Sequence, residues 1–198
     1  MAEEKKNDMV SQMEAYIDKS RRVCPLSEAM IKSLVKQMGE ELFNKHLYMT
    51  FANYFATNGL PKLEEYYNKR ADEEELHHKW INWYLTYNDA EFQYPAVPEV
   101  NIILKDLVDP FRLTVDKEIE TTMHINEIVN QAVSEKDWAT FNWLMDDEDE
   151  TGALVKEQIE EESISRAILD MASAEGNWLS KQGYILDFYN GGKCKCKK

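Results

Sequence analysis

A chain of 198 residues with 43% hydrophobic side chains suffices for one domain with a full core. Only seven glycines and five prolines stand among recurring Leu, Glu, Lys, Met and Ala, so long helices are the default, and a net charge of −14 speaks against nucleic acid or anionic membrane and for cationic ligands. Three cysteines make no disulfide framework, no apolar run nears the roughly 20 residues that span a bilayer, and the opening MAEEKKNDMV lacks a signal segment, so a cytoplasmic protein is expected.

Residues 1–25 read as an N-terminal extension, with Met9, Met13, Tyr16 and Ile17 on one face of a short amphipathic helix that ends near Pro25. Ser27 is a good N-cap for a first long helix that runs to about Thr57, before the Asn58-Gly59 break. Pro61 suits the first position of a second helix, which reaches about Asn88. Residues 89–101, with Pro95 and Pro98, read as an extended crossover. The pattern predicts a third helix over 102–133, with Pro110 in its first turns or at a kink. A fourth helical stretch covers 138–174, interrupted by the acidic DDEDETG at 146–152, and a short fifth helix covers 178–189. The fold class is therefore all-α: residues 26–190 form a four-helix bundle with one long crossover, followed by a Cys/Lys tail at 191–198.

Counted at the 3-4 spacing of a bundle seam, each long helix is apolar at both ends and polar in the middle. The interruptions are Glu41 and Lys45, then Arg70, Glu74 and His77, then Glu118 and Thr122, then Gln158 and Glu161. Burying a single unpaired carboxylate costs several kcal/mol, and four facing one another also repel. Protonation relieves part of that cost, Lys45 or Arg70 can pair with one or two carboxylates, and bound divalent metal relieves all of it. Oxygen ligands with one imidazole suit iron or manganese, and zinc competes for such sites. Glu74 and His77 lie three apart on one helix face, able to grip the same ion. Glu75 and His78 repeat that spacing one residue later, but the first pair lies on the seam that continues to Ile81 and Tyr84. Gln158 has three roles open to it: ligand, hydrogen-bond partner of a water, or packing residue. Tyr48 reads as a packed seam tyrosine whose hydroxyl bonds a carboxylate. His46 and His124 lack a carboxylate three residues upstream and read as structural or surface residues; Cys194 and Cys196 offer too few ligands for a closed site, and Cys24 has no visible partner.

These residues resemble the non-haem ferritins, the bacterial type in particular, from Leu26 to about Asn190. LSEAMIKSLVKQMGEELFNKHLYM is similar to their first helix, RADEEELHHK to the second-helix ligand motif, KDLVDPFRLTVDKEIE to the third-helix entry and KEQIEEESISRAILD to the fourth. The resemblance implies a ferroxidase site for two iron ions per subunit, with Glu74 bridging, Glu41 and His77 on one ion, and Glu118 and Glu161 on the other. Gln158 would stand beside the second ion, Tyr48 nearby as an electron donor, and Glu73, Glu157 and Glu160 at a possible third, accessory iron site. It further implies a homo-oligomeric shell of 24 subunits that oxidises Fe(II) with dioxygen or peroxide and stores the Fe(III) mineral inside.

About seven residues centred on DDEDETG exceed the family pattern. They read either as two added helical turns, which keep the downstream seam facing, or as a loop or bulge at Gly152. Asp146, Asp147, Glu148, Asp149 and Glu150 read either as a cation entry funnel or as a solvated acidic loop. Two rival functions follow from the same bundle. A rubrerythrin-like or oxygenase enzyme would carry a second E-x-x-H on the fourth helix, where this chain has EQIEEE. A metal-binding shell without efficient oxidation would follow if the insertion displaced Glu161.

Overall fold

Ser27, in extended backbone, accepts a hydrogen bond from the Met30 amide at 2.9 Å and so caps the first of six helices among the described residues. In this computed structural model, residues 26–145 and 152–193 are described. The extension with its amphipathic face and Cys24, the acidic run 146–150, and Cys194 and Cys196 lie outside the described residues. The helices are α1 (Glu28–Thr57), α2 (Pro61–Tyr87), α3 (Asp109–Glu135), α4 (Trp138–Met145), α5 (Leu154–Ser173) and α6 (Trp178–Lys193). Among the described residues the fold is all-helical, and no helix is long and apolar enough to cross a membrane.

α1 packs chiefly along α2 and α3 along α5, and α1 against α3 joins the two pairs. The long crossover between α2 and α3 crosses α1 at Gly39, where a Cβ would stand 2.8 Å from Pro95 Cγ. Only glycine lets the two chains approach so closely there. The third helix starts later than its pattern predicts, at Asp109 rather than near Ile102. Pro110 sits in the first turn, where its missing N–H costs nothing. The Asp106 carboxylate accepts from the amides of Val108 at 2.7 Å and Asp109 at 3.0 Å, so the helix start is capped from outside. Residues 102–108 remain in the crossover, and Ile102, Leu104 and Leu107 pack on the core from there.

The fourth rod of the bundle is described as two helices. α4 covers Trp138–Met145 and α5 begins at Leu154, after Gly152 and Ala153 in non-helical backbone; the choice between loop and added turns for the insertion lies outside the described residues. The Ala153 amide donates to the Trp143 carbonyl at 2.9 Å, and a Cβ on Gly152 would lie 2.4 Å from that same oxygen. Gly152 and Ala153 thus sit against the end of α4, and the seam resumes with Leu154, Gln158, Glu161, Ser165 and Ile168 all buried. α4 is held in turn by Trp143 stacked on Tyr84 at 4.0 Å and by the Tyr84 and Thr140 hydroxyls 2.9 Å apart. α6 extends four residues past the predicted Tyr189; its Gln182 accepts from the Lys62 amide at 3.0 Å and caps α2.

The core divides into two apolar clusters. One gathers Phe51, Phe55, Leu63, Tyr66, Tyr67, Phe111 and Ile185; the other gathers Met30, Leu34, Met38, Ile81, Leu85, Ile125 and Leu154. Each fully buried side chain of this size contributes roughly 1.5–3 kcal/mol. That excess carries the polar middle of the seams, where the chemistry lies.

Candidate metal centre

The polar middle collects side chains from four helices. α1 supplies Gln37, Glu41 and Tyr48; α2 supplies Arg70, Glu74 and His77; α3 supplies Glu118; α5 supplies Gln158 and Glu161. All nine are buried, and Glu41, Tyr48 and Arg70 have no exposed surface at all. Ligand atoms of Glu41, Glu74 and His77 converge within 4.8 Å of one another, and so do those of Glu74, Glu118 and Glu161. Glu74 belongs to both groups. A third group joins His77 and Glu161 to the half-buried Glu157.

Buried polar atoms in proteins are nearly always partnered. Here Glu41 Oε2, Glu74 Oε1 and Glu161 Oε1 are buried without a hydrogen bond. Such orphaned carboxylate oxygens, with an imidazole beside them, fit a divalent cation of the iron or manganese type. Glu41 Oε1 and both oxygens of Glu118 are held by donors. Gln37 Nε2 donates to Glu41 Oε1 at 2.8 Å, Gln158 Nε2 donates to Glu118 Oε2 at 2.8 Å, and the Tyr48 hydroxyl donates to Glu118 Oε1.

Arg70 is the residue whose weight the seam pattern does not reveal. Its Nη2 donates to Glu118 Oε1 and stands 3.8 Å from Glu74 Oε1. Its Nη1 lies 3.0 Å from Glu161 Oε1, though not aligned for a hydrogen bond, and 3.3 Å from Glu73 Oε2. The guanidinium also lies 5.3 Å from the centre of the Tyr48 ring. Lys45, the other cation on these seams, turns outward to Glu75.

Charge and burial divide the protons unequally. Burial pushes Glu41 well above the carboxylate range, reinforced by Glu74 opposite, while His77 beside it keeps Glu74 ionised against the same burial. Glu161 is pushed up to about 8, because burial outweighs the attraction of Arg70 and His77. His77 is pulled down by burial but raised on balance to about 10 by Glu161, Glu74 and Glu41. A cation entering this layer must therefore displace protons as well as find ligands.

The Glu74/His77 register faces inward. Glu75 is half-exposed between Lys45 and Lys79, and His78 Nδ1 sits 3.1 Å from the Met38 carbonyl. His46 is exposed and His124 half-exposed, away from the layer. Of the residues expected around an accessory ion, Glu157 joins His77 and Glu161, Glu73 pairs with Arg70, and Glu160 enters none of the three groups. Gln37 is the member of the layer that seam counting passes over, although its place one turn before Glu41 is itself a signal.

The profile of the ferritin-like domain family matches residues 31–171. The chain belongs to the ferritin family, with the non-haem bacterial type. It is 30% identical over 167 residues to the bacterial non-heme ferritin of Campylobacter jejuni, covering 83% of this chain and 93% of that one. The bacterial non-heme ferritin of Staphylococcus haemolyticus is 26% identical over 155 residues, covering 77% and 87%. Among solved structures, an open-pore ferritin from the hyperthermophilic archaeon Archaeoglobus fulgidus superposes with a TM-score of 0.69 at 27% identity, covering 75% of this chain and 86% of that one. Family and fold make this an iron-storage ferritin, and the carboxylate and imidazole groups give it places to bind metal.

Proposed function

We propose that this ferritin oxidises Fe(II) to Fe(III) inside each subunit and stores the product as mineral within a homo-oligomeric shell of 24 subunits. The observation that carries the reading is Glu74, shared between two three-ligand groups so that two cations could sit on either side of one carboxylate. Glu41 and His77 would complete the first ferrous ion, and Glu118 and Glu161 the second. Gln158 orients Glu118 through its amide, and Tyr48 holds the other oxygen of the same carboxylate. Two ferrous ions give one electron each. Dioxygen takes both with two protons and leaves as hydrogen peroxide, or peroxide takes them with two protons and leaves as water. Glutamate suits this work because it changes between one-oxygen and two-oxygen binding as the ion changes charge. Of Glu73, Glu157 and Glu160, expected at a third, accessory ion, Glu157 has support from its place beside His77 and Glu161. For Tyr48 as an electron donor, the support is its buried hydroxyl against Glu118 together with the family likeness.

Anaerobic loading with Fe(II), followed by an oxygen pulse in stopped flow, tests this reading beside a Glu74→Ala, His77→Ala variant. Fast oxidation of about two irons per chain, lost in the variant, is expected. Equal slow rates in both proteins would leave the second reading, a metal-binding shell without efficient oxidation. The specific observation that favours that alternative is Arg70, already seated among the second group of carboxylates.

A further inference from the structure

The two three-ligand groups share Glu74 but differ in what faces them. Around Glu41, Glu74 and His77 the described residues bring no Lys or Arg within ion-pair distance of Glu41. Around Glu74, Glu118 and Glu161 a fully buried guanidinium reaches all three carboxylates, at 3.8 Å, in direct contact and at 3.0 Å respectively. A guanidinium cannot be deprotonated in a protein, so it stands there as a fixed positive charge. It uses oxygens that a second divalent ion would need, and ions of like sign so close in a buried layer compete for them. The same guanidinium has an outward partner. Glu73, three residues on and a fifth exposed, holds Nη1 at 3.3 Å and lines a surface depression with Lys69, Asp72, Leu76, Tyr189 and Asn190.

We propose that Arg70 is the resident cation of the second metal position: it holds Glu118 and Glu161 until a second divalent ion expels the guanidinium toward Glu73. The inference rests on the reading of this layer as the iron site and specifies how that site fills. The first ion takes Glu41, Glu74 and His77 by displacing protons, with no guanidinium seated on Glu41 or His77. The second must break the ion pairs of Arg70 with Glu118 and Glu161, so the two affinities are separated by on the order of tenfold or more. Arg70 is here a counter-ion and a control on occupancy, not a group that reacts.

Mn(II) titration of the intact protein, followed by electron paramagnetic resonance, tests the proposal without turnover. Two Mn(II) ions bridged by one carboxylate give an exchange-coupled spectrum, and a single ion gives an isolated one. The wild type is expected to take one tight equivalent per chain with the isolated spectrum, the coupled spectrum growing only at much higher Mn(II). Arg70→Gln is expected to take two equivalents of similar affinity and show the coupled spectrum at once. Arg70→Lys keeps a positive charge and is expected to hold the wild-type order of filling; it serves if the glutamine variant fails to fold. Glu73→Gln removes the outward partner and is expected to weaken the second equivalent while sparing the first. Two equal, coupled ions in the wild type would overturn the role of Arg70 and leave the iron-site reading intact. If Glu41→Ala, His77→Ala leaves the tight equivalent of the wild type untouched, the iron-site reading itself fails and this inference goes with it.

Discussion

The two halves of the polar layer are built from similar residue types and left in different electrostatic states. In the half made by Glu41, Glu74 and His77, the protein balances charge with protons: burial keeps Glu41 protonated, and the imidazole carries the proton it would lose to a metal. In the half made by Glu118 and Glu161, it balances charge chiefly with a guanidinium, a tyrosine hydroxyl and an amide, beside the raised pKa of Glu161. The difference teaches that a buried carboxylate cluster can be made tolerable in two ways, and that only one of them leaves ligands ready for a cation.

Removing the guanidinium is the strongest way to break this comparison. Arg70→Ala leaves Glu118 and Glu161 without their cation, and loss of one partner from a buried ion pair costs about 3–5 kcal/mol. For a domain of this size each kcal/mol moves the melting temperature by about 2–4 °C. Metal-free Arg70→Ala should therefore melt well below wild type in calorimetry, and saturating Mn(II) should recover most of the loss. Failure of the metal to recover it would mean that Arg70 serves packing against Tyr48 rather than charge balance.

Proton balance in the layer predicts a pH dependence, through His77 in the first half and Glu161 in the second. His77 has a folded pKa of about 10 against an ordinary 6.5, so its proton is bound more tightly in the folded chain. That contribution is complete below 6.5 and is lost as pH rises through about 10. Glu161, at about 8 against an ordinary 4.5, acts in the same direction over a lower window: complete below 4.5 and lost through about 8. The metal-free protein should thus lose melting temperature steadily from mildly acid to alkaline pH, and the stabilisation by Mn(II) should grow over the same range as protons cease to compete. A flat profile for the metal-free protein would break the proton-balance account.

How much of this is legible in the sequence follows from what periodicity encodes. A 3-4 count shows which way a side chain faces, so it alone gathers Glu41, Glu74, His77, Glu118, Gln158 and Glu161 on inward positions, and all six are buried together. It does not show how deep a long cation reaches. Lys45 and Arg70 both sit on polar seam positions, yet Lys45 turns to Glu75 and Arg70 runs inward to Glu118. The choice is made by carboxylates on other helices. The late start of α3 has a local cause: Val100, Ile102 and Leu104 are half-buried and alternate with exposed neighbours, the period of extended chain rather than of helix. The non-helical entry to α5 at Gly152 and Ala153 goes with Gly152 seated against the Trp143 carbonyl, a tertiary contact that composition does not carry.

That contact offers a test confined to the second half. Gly152→Ala would drive a Cβ into the Trp143 carbonyl, and overpacking of this kind costs about 1–3 kcal/mol. Because Gly152 anchors the entry to α5, the strain should loosen Gln158 and Glu161 before it reaches α1 and α2. The expected result is a modest fall in melting temperature with the second Mn(II) equivalent weakened and the first preserved. Loss of both equivalents together would show that the two halves fold as one unit.

The smallest expected effect on stability separates the halves most cleanly. Burial and the Glu74 carboxylate hold the pKa of Glu41 well above the ordinary range in the metal-free protein, which favours its neutral form. Glu41→Gln exchanges one neutral group for another of nearly the same shape. The Oε1 that accepts from Gln37 is replaced by an amide oxygen able to do the same. Metal-free unfolding should shift by no more than about 0.5 kcal/mol, the range of substitutions that remove no interaction. The amide nevertheless cannot supply an anionic ligand, so the tight Mn(II) equivalent and the melting-temperature rise it brings should be lost. A large stability change in the metal-free variant would mean that Glu41 is ionised at rest, and that the first half is balanced by charge after all.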